Sequence, residues 1–296
     1  MALNQGFEYK TKVSFRDAGS TVLRYLSSRY RHSSADEWRE RLESGLILLD
    51  EAPAAAEAVL QTGQLLVWCR PPWDEPEVPM CYGVLHEDRE LLAVAKPAGL
   101  PTLPAGGFFT HTLLALVRRS YPEAAPVHRL GRGTSGIVLF ARTAKARRAL
   151  HGDLRQGAMT KLYRALASGH PVQDDFSIDV PIGPLPHARL GMVHAACTAG
   201  RRASSRVTVL QRMDRSSLVR VDIQTGRPHQ IRIHLAAAGH PLVGDPLYTA
   251  GGGFNQSEAA LPGEIGYLLH AEKICFIHPA TGLPLEITCS PPPELR

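Results

Sequence analysis

The chain has 296 residues, 44% hydrophobic and 21% charged, enough for one large domain plus a small one whose cores need neither disulfide nor metal. No run approaches the roughly 18 apolar residues of a membrane span, and Met1 to Lys12 has no apolar core resembling a signal peptide, so cytoplasmic residence is expected. Five scattered cysteines (Cys69, Cys81, Cys197, Cys275, Cys289) form no C-x-x-C pair and argue against a disulfide framework or zinc site, while a net charge of +5 favours an acidic partner such as RNA or DNA.

Residues 1 to 12 are polar and read as a loose tail. From Val13 to Arg70 the pattern predicts a compact unit. Ser20-Thr21 caps a helix with Val22, Leu23, Tyr25 and Leu26 at helical spacing. A second helix starts at Ser33-Ser34 and runs to Ser44, with Trp38 and Leu42 on one face and Gly45 as its stop. Strands follow at Leu46 to Leu49 and Leu65 to Trp68. The run Pro71 to Pro79 is stiff and acidic, a linker, so the boundary falls near residues 71 to 80. Beyond it, the strand Leu91 to Ala95 ends in Lys96-Pro97-Ala98-Gly99, where Pro97 fixes the direction and Gly99 permits positive φ.

Residues 126 to 140, from Pro126 through His128-Arg129-Leu130-Gly131-Arg132-Gly133-Thr134-Ser135-Gly136 to Phe140, read as a loop feeding a strand. Three glycines in six residues, with His128, Arg129 and Arg132 among them, suit an anionic ligand held close to the main chain. Gly131-x-Gly133-x-x-Gly136 also fits a dinucleotide fingerprint, but that motif needs a helix directly after it, and an apolar β-branched run follows instead. Thr143 caps a helix through Gln156, with Ala146, Leu150 and Leu154 inward and Lys145, Arg148 and Arg155 outward. Residues Lys161 to Leu166 alternate as a strand, which puts Lys161, Tyr163 and Ala165 on one face. Basic residues crowd the segment from Arg118 to Arg164.

Residues 171 to 205 read as loops and short strands. Leu218 to Gln224 is a strand, followed by Thr225-Gly226-Arg227-Pro228-His229-Gln230-Ile231-Arg232-Ile233-His234-Leu235. His229, His234 and His240 lack the i, i+4 helical spacing of a zinc pair, so they are expected to be neutral and to hold backbone carbonyls. No Gly-x-Ser-x-Gly elbow supports a Ser-His-Asp hydrolase at Ser135.

Four separated motifs, the Lys96-Pro97 turn, the His128 to Gly136 stretch, Lys161-x-Tyr163-x-Ala165 and Thr225 to Leu235, resemble those of RluA-type pseudouridine synthases over about residues 81 to 290, with Leu269-His270-Ala271 and Phe276 to Pro279 closing the pattern. The resemblance implies a mixed α/β (α+β) domain, 81–296, on a central, largely antiparallel sheet. Residues 13–70 resemble an S-four-like RNA-binding domain, joined by a linker at 71–80. The family resemblance also implies isomerisation of uridine in ribosomal or transfer RNA, without metal or organic cofactor, and a monomer is expected. The family's catalytic Asp falls on Gly131 here, and Gly133 stands where a second acid is often found. By the same resemblance Arg232 would be the ionic partner of that carboxylate and Tyr163 the contact to the base, with Arg129, Arg132, Thr134, Lys161, Arg227 and His229 as RNA contacts. Two classes stay open: an isomerase whose carboxylate comes from elsewhere, Asp222 and Asp245 being candidates because they flank the Arg232 motif, or a catalytically silent RNA-binding member acting in RNA folding or ribosome assembly.

Overall fold

The computed structural model describes residues 3–30, 32–187, 191–255 and 265–296. Its backbone contacts divide into two units, Met1–Glu75 and Pro76–Arg296.

The first unit contains β1 (Phe7–Lys12), α1 (Val22–Arg29), α2 (Ala35–Glu43), β2 (Ile47–Leu49), β3 (Ala52–Pro53) and β4 (Leu65–Arg70), with a sheet ordered β1-β4-β2-β3. Thr21 caps α1 by accepting from the Arg24 amide, and α2 opens with a full capping box, Ser34 and Glu37 each satisfying the other's backbone N–H. Such a cap is worth about 1 kcal/mol. Trp38 and Leu42 of α2 pack with Val22, Tyr25 and Leu26 of α1 in one core. The expected loose tail is a correction: residues 7–12 form β1, antiparallel to β4. Short alternation among charged residues hid the strand, which its partner stabilises by stacking Tyr9 on Trp68 with ring centroids 5.0 Å apart.

The second unit contains β5 (Gly83–Glu87), β6 (Leu91–Lys96), α3 (Leu113–Ser120), β7 (Ala125–Pro126), β8 (Ser135–Ala141), α4 (Ala144–Gln156) and β9 (Thr160–Ser168). It continues with β10 (Asp175–Ile178), β11 (Ile182–His187), β12 (Gly191–Ala196), β13 (Ser205–Arg212), β14 (Ser216–Ile223), α5 (Gln230–Ala237), β15 (Leu269–Ile277) and β16 (Pro284–Thr288). Ten strands form one sheet, β10-β13-β14-β9-β15-β8-β6-β5, with β16 beside β15 and β7 beside β8. Every pairing is antiparallel except β15 with β8. The sheet is therefore mixed and largely antiparallel.

Alternation along β8 feeds a core on each face of the sheet. Val138 and Phe140 of β8 face α3 and α5, joining Leu116, Ile231 and Leu235. Ile137, Leu139 and Ala141 face the other way, onto Ala146 and Leu150 of α4. Helix α4 starts at the Thr143 cap and stops at Gly157, which takes a left-handed φ of 71°. Its exposed face carries Lys145, Arg147, Arg148 and Arg155.

Candidate active site

Three motifs meet around the loop that precedes β8. Lys96, at the end of β6, is buried, and its Nζ donates to the carbonyls of Pro97 (2.9 Å), Leu100 (2.7 Å) and Arg132 (3.2 Å). Burial pulls its pKa down to about 7, yet three acceptors match the three donors of an ammonium group. The Gly99 amide donates to the same Arg132 carbonyl at 2.8 Å. The Thr102 hydroxyl donates to the Leu130 carbonyl and accepts from the Leu130 amide. The Lys-Pro-x-Gly turn is thus a clamp on the Gly131 loop.

Glycine at 136 is demanded by the sheet. It lies where β8 pairs in parallel with β15, at φ +108°, and a Cβ there would stand 2.3 Å from the Ala271 carbonyl oxygen. No side chain fits such an approach. His270, one residue earlier on β15, joins Ser135 Oγ through Nδ1 (2.9 Å) and the Cys289 carbonyl through Nε2 (3.0 Å). A backbone carbonyl, not a carboxylate, stands behind that Ser–His pair.

The Thr225 to Leu235 motif is a loop and α5, and α5 is buried along most of its length. Gln230 holds its entrance: its amide nitrogen donates to the Ser204 carbonyl and Ser205 Oγ, and its oxygen accepts from Thr225 Oγ1 and the Arg227 amide. Inside, Arg232 makes a bidentate pair with Asp245, Nε to Oδ2 and Nη2 to Oδ1, both at 2.7 Å. The two side chains are 3% and 0% exposed. Burial alone would lower the Arg232 pKa, but the Asp245 hydrogen bonds and the nearby negative charge hold it above the ordinary arginine value. The Asp245 Oδ1 also accepts from the Leu247 and Tyr248 amides.

The guanidinium of Arg232 lies 4.3 Å from the centroid of Tyr267 and 4.9 Å from that of Tyr248. Tyr267 in turn covers the glycine loop. Its hydroxyl is 3.1 Å from where a Cβ of Gly131 would stand and 3.4 Å from Thr134 Oγ1. A Cβ on Gly133 would meet the Tyr267 ring at 2.9 Å. Tyr163 of β9 packs in the same core as Leu130, Ile231 and Tyr267. Burial pushes its phenol up to about 12, so it is a neutral ring at ordinary pH. One aromatic ring thus separates Arg232 from Gly131, and Tyr163 packs in the core around that ring. Tyr267 had no signal in the sequence, because it lies outside every motif, just ahead of Leu269-His270-Ala271.

The other named residues divide. Thr134 is buried under Tyr267, and Lys161 reaches the Thr225 to Arg227 loop, its Nζ 3.8 Å from where a Gly226 Cβ would be. Burial lowers the Lys161 pKa against the opposing effect of Asp222. Asp222 is half-buried, which raises its carboxyl against the pull of Arg206 and Lys161. Arg129 is exposed, whereas Arg132 is half-buried with its guanidinium 5.3 Å from the Phe108 centroid. Arg227 Nε donates to the Arg202 carbonyl.

His229, in a left-handed conformation ahead of α5, contacts the Tyr248 hydroxyl through Nδ1 at 2.8 Å. That hydroxyl donates its only hydrogen to the His194 carbonyl, so Nδ1 carries the imidazole proton. Burial lowers the His229 pKa to about 3. His234 and His240 do hold carbonyls, those of Val180 and Ser168. His229 instead holds a phenol, a correction to the expected carbonyl.

Among the described residues no group of three His, Cys, Asp or Glu is placed to hold a metal ion, and no helix is long and apolar enough to cross a membrane. A cavity of about 610 Å3 lies against the loop, with Lys96, Gly133, Ser135, Tyr267 and His270 on its wall; Gly131, Tyr163 and Arg232 do not line it. The basic segment is divided too. Arg142 pairs with Glu87 and Glu123, and Arg164 with Glu272. The arginines of α4 lie across the sheet from Tyr163, since α4 packs on the opposite core.

A mixed sheet carrying helices on both faces, with a buried arginine packed on the tyrosine that covers a glycine loop, defines an α+β protein. Residues 90–237 match the model of the RNA pseudouridylate synthase family. The chain is 41% identical to an uncharacterized RNA pseudouridine synthase of Synechocystis sp., covering 93% of this chain and 95% of the relative. It is 38% identical to RNA pseudouridine synthase 5 of Arabidopsis thaliana, over 92% and 89% of the two chains. It is 34% identical to ribosomal large subunit pseudouridine synthase D of Neisseria meningitidis, over 88% and 72%. The fold is that of human RNA pseudouridylate synthase domain containing 1, with a TM-score of 0.58, 24% identity, and 75% and 89% coverage. The chain therefore belongs to the RNA pseudouridylate synthase family and is an RNA pseudouridine synthase, an isomerase.

Proposed function

We propose that this protein isomerises uridine in structured RNA, ribosomal in preference to transfer RNA, at the loop carrying Gly131, the position of the family's Asp. Residues 13–70 act as an S-four-like RNA-binding domain, 71–80 as a linker and 81–296 as the catalytic domain of a cytoplasmic monomer. The relative named for the large ribosomal subunit supports the choice of RNA. In the reaction the N1–C1′ bond breaks, the uracil turns, and a C5–C1′ bond forms. The C5 proton leaves to solvent and N1 takes one up. Neither oxidation nor reduction occurs, so no redox cofactor is needed.

The observation that carries this reading is the approach of Arg232 to the Gly131 loop through a single ring, with Tyr163 packed in the same core. Arg232 has a positive charge for a reacting anion, and Tyr163 a neutral face for a base drawn out of the RNA stack. A protein that no longer handled uridine would need neither. Asp245 is committed to Arg232 and to two backbone amides, which argues against it as the replacement carboxylate.

The test is to map pseudouridine in ribosomal and transfer RNA from cells with and without the protein, and to measure tritium release from C5-labelled uridine in those RNAs with purified protein. Loss of one or a few pseudouridines, restored in vitro, is expected. RNA binding with every uridine unchanged would instead establish the silent RNA-binding alternative.

A further inference from the structure

We propose that the hydroxyl of Tyr267 takes the place of the missing carboxylate and is the catalytic nucleophile of this site, an inference that rests on the isomerase reading above. Three observations converge on that oxygen.

The first is space. The Tyr267 hydroxyl stands 3.1 Å from a Gly131 Cβ position and 3.2 Å from a Gly133 Cβ position, and the ring carbons approach the latter to 2.9 and 3.0 Å. A side chain at 133 would collide with the ring, and one at 131 would crowd the hydroxyl. The two positions where the family carries or often carries an acid are thus both emptied beneath one phenol. Loss of a carboxylate alone would need only one of those changes, and it would leave a hole rather than an oxygen.

The second is charge. The Arg232 guanidinium lies 4.3 Å from the Tyr267 centroid, in the range where a cation interacts with a ring, which places positive charge beside the reacting side chain. Asp245 fixes that guanidinium through two hydrogen bonds. The arginine that would partner an Asp on the loop instead pairs with Asp245 and packs on the tyrosine ring. The third is hydrogen bonding: Thr134 Oγ1, 3.4 Å from the Tyr267 hydroxyl, is a donor for a phenolate oxygen.

The chemistry balances with the groups present. The phenol proton passes to water, and the phenolate oxygen attacks C1′ while the N1–C1′ bond breaks and its electron pair leaves with the uracil. The uracil turns, and its C5 attacks C1′. The O–C1′ bond then breaks, returning its pair to the Tyr267 oxygen. C5 loses its proton to solvent, N1 gains one, and the phenol is reprotonated. A tyrosine serving as the nucleophile on a sugar carbon has precedent in sialidases.

Tyr267→Phe is the direct test because it keeps the ring against Gly133 and Arg232 and removes only the oxygen. Wild type, Tyr267→Phe, and the double variant Gly131→Asp with Tyr267→Phe are compared for tritium release from the RNA whose uridine the cellular mapping identifies. Urea midpoints and RNA affinity are measured on all three. Loss of a nucleophile costs on the order of a million-fold in a serine protease, so a fall of at least about a thousandfold is expected in Tyr267→Phe with RNA affinity and urea midpoint retained. The double variant, with a carboxylate at 131 where the Tyr267 oxygen stood, should recover a measurable part of the rate. An active wild type with Tyr267→Phe within about threefold of it would overturn the role of Tyr267 and leave the isomerase reading standing. A wild type that binds RNA but releases no tritium from any of them would overturn both.

Discussion

Replacing Asp245 by Asn separates a structural carboxylate from a relocated catalytic one. The carboxylate accepts two hydrogen bonds from Arg232 at 2.7 Å and two from backbone amides at 2.9 and 3.0 Å, and both partners of the ion pair are almost wholly shielded from water. Asn keeps one oxygen, which can still serve the Leu247 and Tyr248 amides, but it turns an N–H donor toward a guanidinium that only donates. The buried arginine then loses the carboxylate charge of Asp245. Breaking one side of such a pair costs about 3–5 kcal/mol, a large share of the roughly 5–15 kcal/mol that holds a domain folded. With a urea m-value of about 2 kcal/mol/M, the midpoint should fall by about 2 M. Equilibrium unfolding in urea reads this, and the paired change Arg232→Met with Asp245→Leu should recover most of the loss, because no buried charge remains. If Asp245→Asn abolished tritium release while moving the midpoint by less than about 0.5 M, the structural reading would be wrong and Asp245 would be the sought carboxylate.

Gly136→Ala should cost more than about 3 kcal/mol or prevent folding, because its Cβ would lie 2.3 Å from the Ala271 carbonyl at a φ of +108°; Gly152→Ala, inside α4 with nothing within 4 Å, should gain about 0.5–1 kcal/mol in the same urea titration. His128 Nε2 accepts from the Leu139 amide and must be neutral to do so, and burial lowers its pKa from 6.5 to about 4. Its contribution to stability is therefore fully present above pH 6.5 and is lost as the pH falls toward 4, so the difference in urea midpoint between wild type and His128→Gln should shrink over that window; an unchanged difference would contradict the assignment. RNA affinity should fall steeply between low and physiological salt, as released counterions require, and removal of residues 1–75 should weaken it while leaving the second unit folded by circular dichroism.

Much of this protein is local, and local features are legible. Thr21, Ser34 and Thr143 announce three helices because a hydroxyl ahead of an apolar periodicity satisfies amides that the helix itself cannot. Gly157 ends α4 because only a left-handed residue lets the chain turn there. The alternation of Lys161, Tyr163 and Ala165 gave β9 and its faces. The motifs themselves, read together, carried the family and the positions of Gly131, Tyr163 and Arg232. β1 escaped because a charged edge strand is stabilised by its partner and not by its own pattern.

What the sequence could not determine is which side chains separated in the chain share a contact. Tyr267 and Gly131 are 136 positions apart, and nothing in either segment encodes a ring lying over a glycine. Pairing of β15 with β8 brings them together, and Gly136 permits the close approach that this register requires. Similarly, Asp222 and Asp245 flank the Arg232 motif in sequence. The turn after α5 delivers Asp245 to the guanidinium, while Asp222, on β14, lies beside Arg206 and Lys161. The sequence by itself determined the capped helices, several strands, the family and the absence of a carboxylate at position 131, because these depend on residue type and short spacing. Only the tertiary structure decided what lies over that vacancy and which acid neutralises the arginine, because the first depends on strands brought together across more than a hundred residues of intervening chain and the second on how the turn after α5 folds back onto the helix.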